Sequence, residues 1–357
     1  MKRIVAVLSL LLLTVGCDRT ANHGDPTPTT PSEPTPDAQA PSEPTPDETA
    51  SPPDAKPVDV IDVIDAVATS ADGRRVSTCR KTDTVRVWDA ASGDVVHTFD
   101  VDFDDTCSML AFNEDGTRLA ASGSIGNEVT VWDASTGDKL HAFDADEMLA
   151  TLALNPSGTR LAAGVLPEEG SESTLIVWDI ADGRRTLDRW DDGESVLALA
   201  WADDDTLWKG SDEGVAAVDV ATDTVTNTAP LDVEDGIVGA ICPHSNTFYI
   251  CGGEGATLRD LESGELRSTL KGKGDWSCQA AFSPDGRYVA LARGATVAVW
   301  YVDSGERVET VDARAGEGRR LPLALSRTAL VATAPSGAAH RWSLSDDEQK
   351  TFDVPKP

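Results

Sequence analysis

The residues of this chain that are suited to chemistry are few, and they form no recognised catalytic pattern. The chain has five histidines and six cysteines among 357 residues. It contains no G-x-S-x-G elbow, no H-E-x-x-H zinc motif, no phosphate-binding glycine loop and no EF-hand loop. His97 and His141 occupy matching positions in VHTF and LHAF, and we interpret them as surface histidines of outer strands rather than metal ligands. The sequence therefore predicts no catalytic residue and no assigned metal site.

Carboxylates are concentrated in four segments, which are DVDFDD (100–105), DADE (144–147), DDGE (191–194) and DVED (232–235). Two later segments are basic, with Lys271 and Lys273 in one and Arg314, Arg319 and Arg320 in the other. Clustered carboxylates suit a basic partner or Ca²⁺, whereas the alternative is that a chain with net charge -31 simply has acidic loops. The candidate residues are Asp102, Asp104, Asp105, Asp144, Asp146, Glu147, Asp191, Asp192, Glu194, Asp232, Glu234 and Asp235.

A repeat places these segments at equivalent points of the chain. The Trp position of the tripeptide VWD recurs as Trp88, Trp132, Trp178, Val218, Arg259, Trp300 and Trp342, with steps of 44, 46, 40, 41, 41 and 42 residues. Seven units of this length are typical of the blades of a propeller. The acidic segments then lie in the loops that enter new blades, on one face of the ring.

Turn signals keep phase with the repeat. SADGRR, NEDGTR, NPSGTR and SPDGRY predict one hairpin turn per unit, and Gly93, Gly137, Gly183, Gly264 and Gly305 mark a second turn. Each unit is predicted to contain four short strands, near 107–112, 117–122, 128–133 and 138–143 in the second unit. The fold class is therefore all-β, a seven-bladed β-propeller of four-stranded antiparallel blades over residues 58–357.

These units resemble WD-repeat β-propellers, as AFSPDGRYVALARGATVAVW and LAFNEDGTRLAASGSIGNEVTVWDASTGDKL illustrate. The Gly-His pair of that family is missing from every unit, so its usual His-Ser/Thr-Asp-Trp network cannot form, and Asp83 is a partial remnant. Divergent quinoprotein-like or lactonase-like propellers are alternative relatives. We interpret the blade tryptophans as packing side chains. Either residues 350–353 or residues 58–62 supply the outer strand that closes the ring.

Aligned units bring four cysteines to equivalent places. Cys79 and Cys251 end the second strands of blades one and five, while Cys107 and Cys278 lie near the start of the next blade's first strand. Both ends face the same rim, which predicts the disulfides Cys79–Cys107 and Cys251–Cys278 in an exported protein. Cys242 would then remain free. A competing pairing joins Cys242 to Cys251 across one hairpin and leaves Cys278 unpaired.

The N-terminus predicts export. MKRIVAVLSLLLLTVGC has a charged start, an apolar run and small residues before Cys17, which resembles the lipobox of bacterial lipoproteins and implies lipidation of Cys17. Residues 18–57 are rich in Pro, Thr, Ser, Asp and Glu and predict a disordered linker. An ordinary secretory signal is the alternative. The predicted domains are a signal peptide at 1–17, a linker at 18–57 and a propeller at 58–357.

Charge and fold together indicate a class of function. A net charge of -31 disfavours nucleic acid as a partner and confines membrane contact to the lipid anchor. We expect a non-enzymatic interaction scaffold that is displayed on the periplasmic side of a membrane or on the cell surface. Its expected partner is a basic protein or a polymer. No cofactor is expected except Ca²⁺ in the acidic loops. The alternatives are a lactonase-like or quinone-cofactor enzyme, or an envelope-protein assembly factor.

Overall fold

The structure, a computed structural model, describes residues 64–80, 84–101, 106–123, 127–166, 174–189, 195–231, 236–252, 256–270, 279–293, 296–312, 322–333, 339–344 and 349–352. Alternating apolar residues between turn signals form short strands throughout. The first four blades contain β1 Ile64–Thr69, β2 Arg75–Arg80, β3 Thr84–Asp89, β4 Val95–Asp100, β5 Cys107–Phe112, β6 Arg118–Gly123, β7 Glu128–Asp133, β8 Lys139–Asp144, β9 Leu149–Leu154, β10 Arg160–Val165, β11 Leu175–Asp179, β12 Arg185–Arg189, β13 Ala198–Trp201, β14 Thr206–Gly210, β15 Gly214–Asp219 and β16 Thr224–Pro230. The last three contain β17 Ile237–Cys242, β18 Thr247–Cys251, β19 Thr257–Asp260, β20 Leu266–Thr269, β21 Ala280–Phe282, β22 Tyr288–Arg293, β23 Thr296–Tyr301, β24 Arg307–Asp312, β25 Leu323–Leu325, β26 Ala329–Thr333, β27 Ala339–Ser343 and β28 Gln349–Phe352.

These strands form seven separate antiparallel sheets, each of four consecutive strands. The first strands of successive sheets contact one another in sequence, and β1 also contacts β25, so the inner strands form a closed ring. The predicted seven-bladed β-propeller is confirmed. The outer strand of blade seven is β28, which pairs with β27, so the C-terminal route is the one that completes this blade.

The register of the sheets explains the repeat. Every member of the Trp series pairs with the second residue of its blade's second strand, as in Val76 with Trp88 and Leu119 with Trp132. The two families of predicted turn glycines have positive φ, for example 71° at Gly73 and 88° at Gly137. Where blade four has no glycine, Asp223 takes the positive φ of 53°. The turn signals are therefore requirements of backbone geometry.

The core consists of seven apolar clusters among the described residues, one at each junction between neighbouring blades. Each blade tryptophan packs towards the preceding blade: Trp132 lies with Val85 and Phe99 of blade one. Trp178 likewise lies with Phe143 of blade two. Trp300 is fully buried at 0% exposure. Junctions between blades, rather than single blades, therefore bury the apolar surface that stabilises the fold.

The compact unit that contains the propeller runs from Asp62 to Pro357. The predicted signal peptide, the lipidation site Cys17 and the linker at 18–57 lie outside the described residues and stay predictions. Within the described residues, no helix is long and apolar enough to cross a membrane.

Candidate functional site

The aspartates that follow the Trp positions close the turns between third and fourth strands. The Oδ1 atom of Asp89 accepts the backbone N–H groups of Ala91 and Ser92 at 2.9 and 2.8 Å. Asp133, Asp179, Asp219 and Asp260 accept the equivalent two N–H groups in their blades. Donation from the Ser92 backbone N–H lowers the pKa of Asp89, and donation from Ser263 does the same for Asp260. These carboxylates are structural caps.

The tryptophan of blade one has a hydrogen-bond partner inside its own blade. Its indole Nε1–H donates to Thr78 Oγ1 at 2.9 Å, and both residues are buried. The equivalent positions in blades two and three are Ala121 and Ala163, which have no acceptor in the side chain. Trp132 and Trp178 lie in apolar clusters, which agrees with their interpretation from the sequence as packing residues.

His97 and His141 lie on the outer strands β4 and β8, are partly exposed, and each packs against the neighbouring blade. A Cβ atom on Gly137 would meet His97 Nδ1 at 2.9 Å, and one on Gly183 would meet His141 Cε1 at 2.6 Å. His97 Nε2 also lies 3.2 Å from the carbonyl oxygen of Ser135. Each histidine therefore fits over a turn glycine of the next blade, which explains the matched VHTF and LHAF motifs.

The acidic loop 144–147 is the one candidate segment that the structure describes. Asp144 Oδ1 accepts Asn127 Nδ2 and the backbone N–H of Asp146, both at 2.8 Å. Arg185 of β12 donates to the Asp144 carbonyl at 2.7 Å and to Asp146 Oδ2 at 2.6 Å. The loop is thus fixed against the outer strand of blade three, while the side chain of Asp146 remains 73% exposed.

The third carboxylate of this loop differs from the other two. Glu147 Oε2 is buried and accepts no hydrogen bond from the described residues.

The remaining nine candidates lie outside the described residues and stay predictions: Asp102, Asp104, Asp105, Asp191, Asp192, Glu194, Asp232, Glu234 and Asp235. The basic residues Lys271, Lys273, Arg314, Arg319 and Arg320 are outside them as well. In the part of the chain that is described, no three His, Cys, Asp or Glu side chains are grouped to hold a metal ion.

A second acidic segment, Asp203–Asp205, joins blades three and four and was not singled out from the sequence. Asp204 Oδ1 accepts Asn155 Nδ2 and the Ser157 backbone N–H, both at 2.9 Å. Arg160 donates to the Asp204 carbonyl and to Asp205 Oδ1, both at 2.7 Å. The sequence did contain a signal for this contact. The segment reads DDD, whereas the first turn of most other blades opens with Asn or Ser.

A cavity of about 220 Å³ lies in the central channel, between the inner strands of five blades. Its walls combine apolar side chains such as Met109 and Leu152 with polar groups that include Asp65, Thr151 and Gln279. Pockets that enclose drug-sized ligands measure about 300–1,000 Å³, so this cavity suits a smaller molecule or ordered water.

The cysteines follow the blade alignment. Cys79 and Cys107 form a disulfide with Cα atoms 6.0 Å apart, as predicted, and it joins β2 of blade one to β5 of blade two. Cys251 is also disulfide-bonded, and its predicted partner Cys278 lies outside the described residues. Cys242 is free and buried, and burial raises the pKa of its thiol. The competing Cys242–Cys251 pairing is wrong, because the β17–β18 register places these residues at opposite ends of the hairpin.

Comparison with solved structures identifies the fold. The β-propeller domain of Cps50 (Swd1) from Myceliophteria thermophila matches with a TM-score of 0.63, covering 79% of this chain and 96% of that domain. The two sequences are 16% identical, so the likeness shows the fold alone. The fold is that of a seven-bladed β-propeller. No protein-family model matches the chain, and no curated protein is detectably similar to it.

Proposed function

We propose that the chain is an exported, lipid-anchored interaction scaffold, whose propeller binds a basic protein or polymer through the acidic loops that join its blades. We assign the chain no catalytic step and no cofactor other than Ca²⁺. Propellers are used as rigid platforms for other macromolecules, which supports an interaction role. The signal-like N-terminus and the linker support display of the domain away from a membrane.

The observation that carries the proposal is the fixed geometry of loop 144–147. Asn127 and Arg185 hold the backbone and carboxylates of Asp144 and Asp146 in place, while the Asp146 side chain is largely exposed. A pre-ordered loop loses little conformational entropy when it binds, so more of the interaction energy appears as affinity. Its charge also favours encounter with a cationic surface, most strongly at low ionic strength.

Charge neutralisation in two loops tests the docking role. Asp144→Asn, Asp146→Asn and Glu147→Gln form one triple variant, and Asp102→Asn, Asp104→Asn and Asp105→Asn form another. We expect both to retain less of a basic envelope protein identified by cross-linking to the wild-type chain, with the loss growing at low salt. The control is the triple variant Asp94→Asn, Asp138→Asn and Asp182→Asn, which removes as much charge from exposed turn residues. Equal loss in the control would show that only net charge matters.

Anchoring is tested separately. We expect mass spectrometry of the mature N-terminal peptide to find an acylated Cys17, and Cys17→Ala to move the protein from the membrane fraction to the soluble fraction. An unmodified N-terminus, cleaved elsewhere, would contradict the lipid anchor and leave the interaction role intact.

A further inference from the structure

The outer strands form the circumference of the ring and hold most of its exposed apolar side chains. Among the described residues, the exposed large apolar side chains are Val95, Val96, Val225, Leu266 and Tyr301. All but Tyr301 lie on outer strands, in β4, β16 and β20. Exposed apolar groups on an unpaired strand edge favour pairing with another chain.

The outer strand of blade four differs from the others. β16 has the sequence TVTNTAP and, at seven residues, is the longest strand described. It contains no charged residue, whereas β8, β12, β20 and β24 each contain Lys or Arg and β4 ends in Asp100. Charged side chains and proline on an edge strand normally prevent unwanted pairing, and of these β16 has only Pro230, at its C-terminal end.

The free side of β16 is accessible. Five of its seven residues are exposed, and β15 is the one described strand that pairs with it. Thr and Val favour the extended conformation that a pairing strand needs. An extended peptide could therefore continue the sheet of blade four by backbone hydrogen bonds, the geometry called β-augmentation.

Two glutamates lie near β16, and at its N-terminal end Asp223 is paired with Arg189. Glu213 lies beside its C-terminal end, where the Glu213 carbonyl accepts the Leu231 N–H at 2.8 Å. Glu262 belongs to the turn of blade five that receives Asn227 Nδ2 at 3.4 Å, and both glutamates are exposed. With a net charge of -31, a second copy of the chain is repelled at long range, and a cationic segment is attracted.

We propose that β16 is a docking edge for an extended cationic peptide segment of a partner protein, which adds as a fifth strand to blade four. This inference rests on the proposed scaffold function and locates one of its contacts on the circumference of the ring. The uncharged strand provides backbone pairing, and the carboxylates around it select for basic flanking residues.

The test uses the peptide K-T-V-T-V-T-K with blocked ends and a fluorescent label, measured by anisotropy against the full chain. Thr228→Lys adds a cation to β16, and Thr98→Lys makes the same change at the equivalent exposed position of β4. We expect Thr228→Lys to weaken binding by on the order of tenfold and Thr98→Lys to leave it nearly unchanged. The peptide E-T-V-T-V-T-E and a version N-methylated at alternate residues should both bind poorly.

Hydrogen exchange gives the location. The peptide should slow amide exchange in residues 224–230 and leave that of β4 unchanged. Absence of binding, equal binding by both Lys variants, or protection confined to another strand would overturn the inference. Dimerisation of the chain that Thr228→Lys abolishes would overturn it too, by making a second copy the occupant. If Thr228→Lys retains the envelope partner as well as the wild type does, the docking edge is refuted and the scaffold function stands. If the wild type retains no envelope protein at all, the scaffold function itself is refuted.

Discussion

Gly137 and Gly183 each accommodate a histidine from the preceding blade. Asp89 caps the equivalent turn of blade one, the turn that contains Gly93. The sequence placed the glycines correctly in turns, because glycine adopts positive φ without the steric cost of a side chain. It gave no indication that His97 and His141 would cover them, since that contact joins residues of different units. Individual polar residues of the repeat therefore serve to align neighbouring blades.

Substitution of turn glycines tests this alignment. Gly93 and Gly137 have similar φ values of 81° and 88°, but no described atom lies within 4 Å of a Cβ built on Gly93. We expect Gly93→Ala to reduce the free energy of unfolding by about 1 kcal/mol, the cost of a left-handed alanine. Gly137→Ala should cost roughly 2–4 kcal/mol, because its Cβ also collides with His97. Chemical denaturation measures both.

The double variant His97→Ala, Gly137→Ala separates the two costs of the Gly137 substitution. If the collision is real, Gly137→Ala should cost less in the His97→Ala background than in the wild type. Identical costs in both backgrounds would show that His97 and Gly137 are not coupled.

At the scale of elements, the predicted strands of the second unit agree with β5 to β8 to within one residue. Local alternation and turn residues determine strand limits, so they could be predicted from the sequence. The connection between elements of different blades depends on which strand ends meet at a rim. Alignment of the units gave the Cys79–Cys107 pair, whereas the contact of Arg160 with Asp204 and Asp205 needed the folded ring.

Removal of the Cys79–Cys107 disulfide tests how much the bridge between β2 and β5 contributes to the free energy of unfolding. Both cysteines are buried, so Cys79→Ala with Cys107→Ala leaves an apolar contact. We expect a loss of about 3 kcal/mol, since the bridge closes a loop of 28 residues. A lower Tm in calorimetry, at unchanged far-UV circular dichroism of the folded state, is the readout. Cys242→Ala is the control, and a Tm equal to that of the control would contradict a stabilising role.

At the scale of the whole molecule, the junction between blades seven and one is unlike the others. Blade one consists of β1–β4 and blade seven of β25–β28, so neither sheet contains a strand from the other end of the chain. An apolar cluster with Val76, Trp88 and Val331 joins them. The Arg327 N–H also donates to the Ala71 carbonyl at 3.4 Å. Between blades one and two, by contrast, the chain and a disulfide both cross the junction.

Hydrogen exchange tests whether the ring opens at this junction. β26 and β10 are both second strands with buried side chains, in blades seven and three. We expect amides of β26 to exchange at least about tenfold faster than those of β10, because local opening needs less energy where no covalent link restrains the blades. Equal protection of the two strands would mean that the ring opens as a single cooperative unit.

The sequence by itself determined the number of blades, the strand positions and the turn glycines, because these follow from spacing and backbone geometry within one unit. It also determined the acidic character of the loops. Only the tertiary structure decided which outer strand completes blade seven, that His97 and His141 fit over glycines, and that Arg185 fixes the loop 144–147. It alone showed that residues 224–230 form the outer strand of blade four. Contacts between blades join residues of different units, about one repeat apart or, between blades seven and one, from opposite ends of the propeller, and no local pattern specifies them.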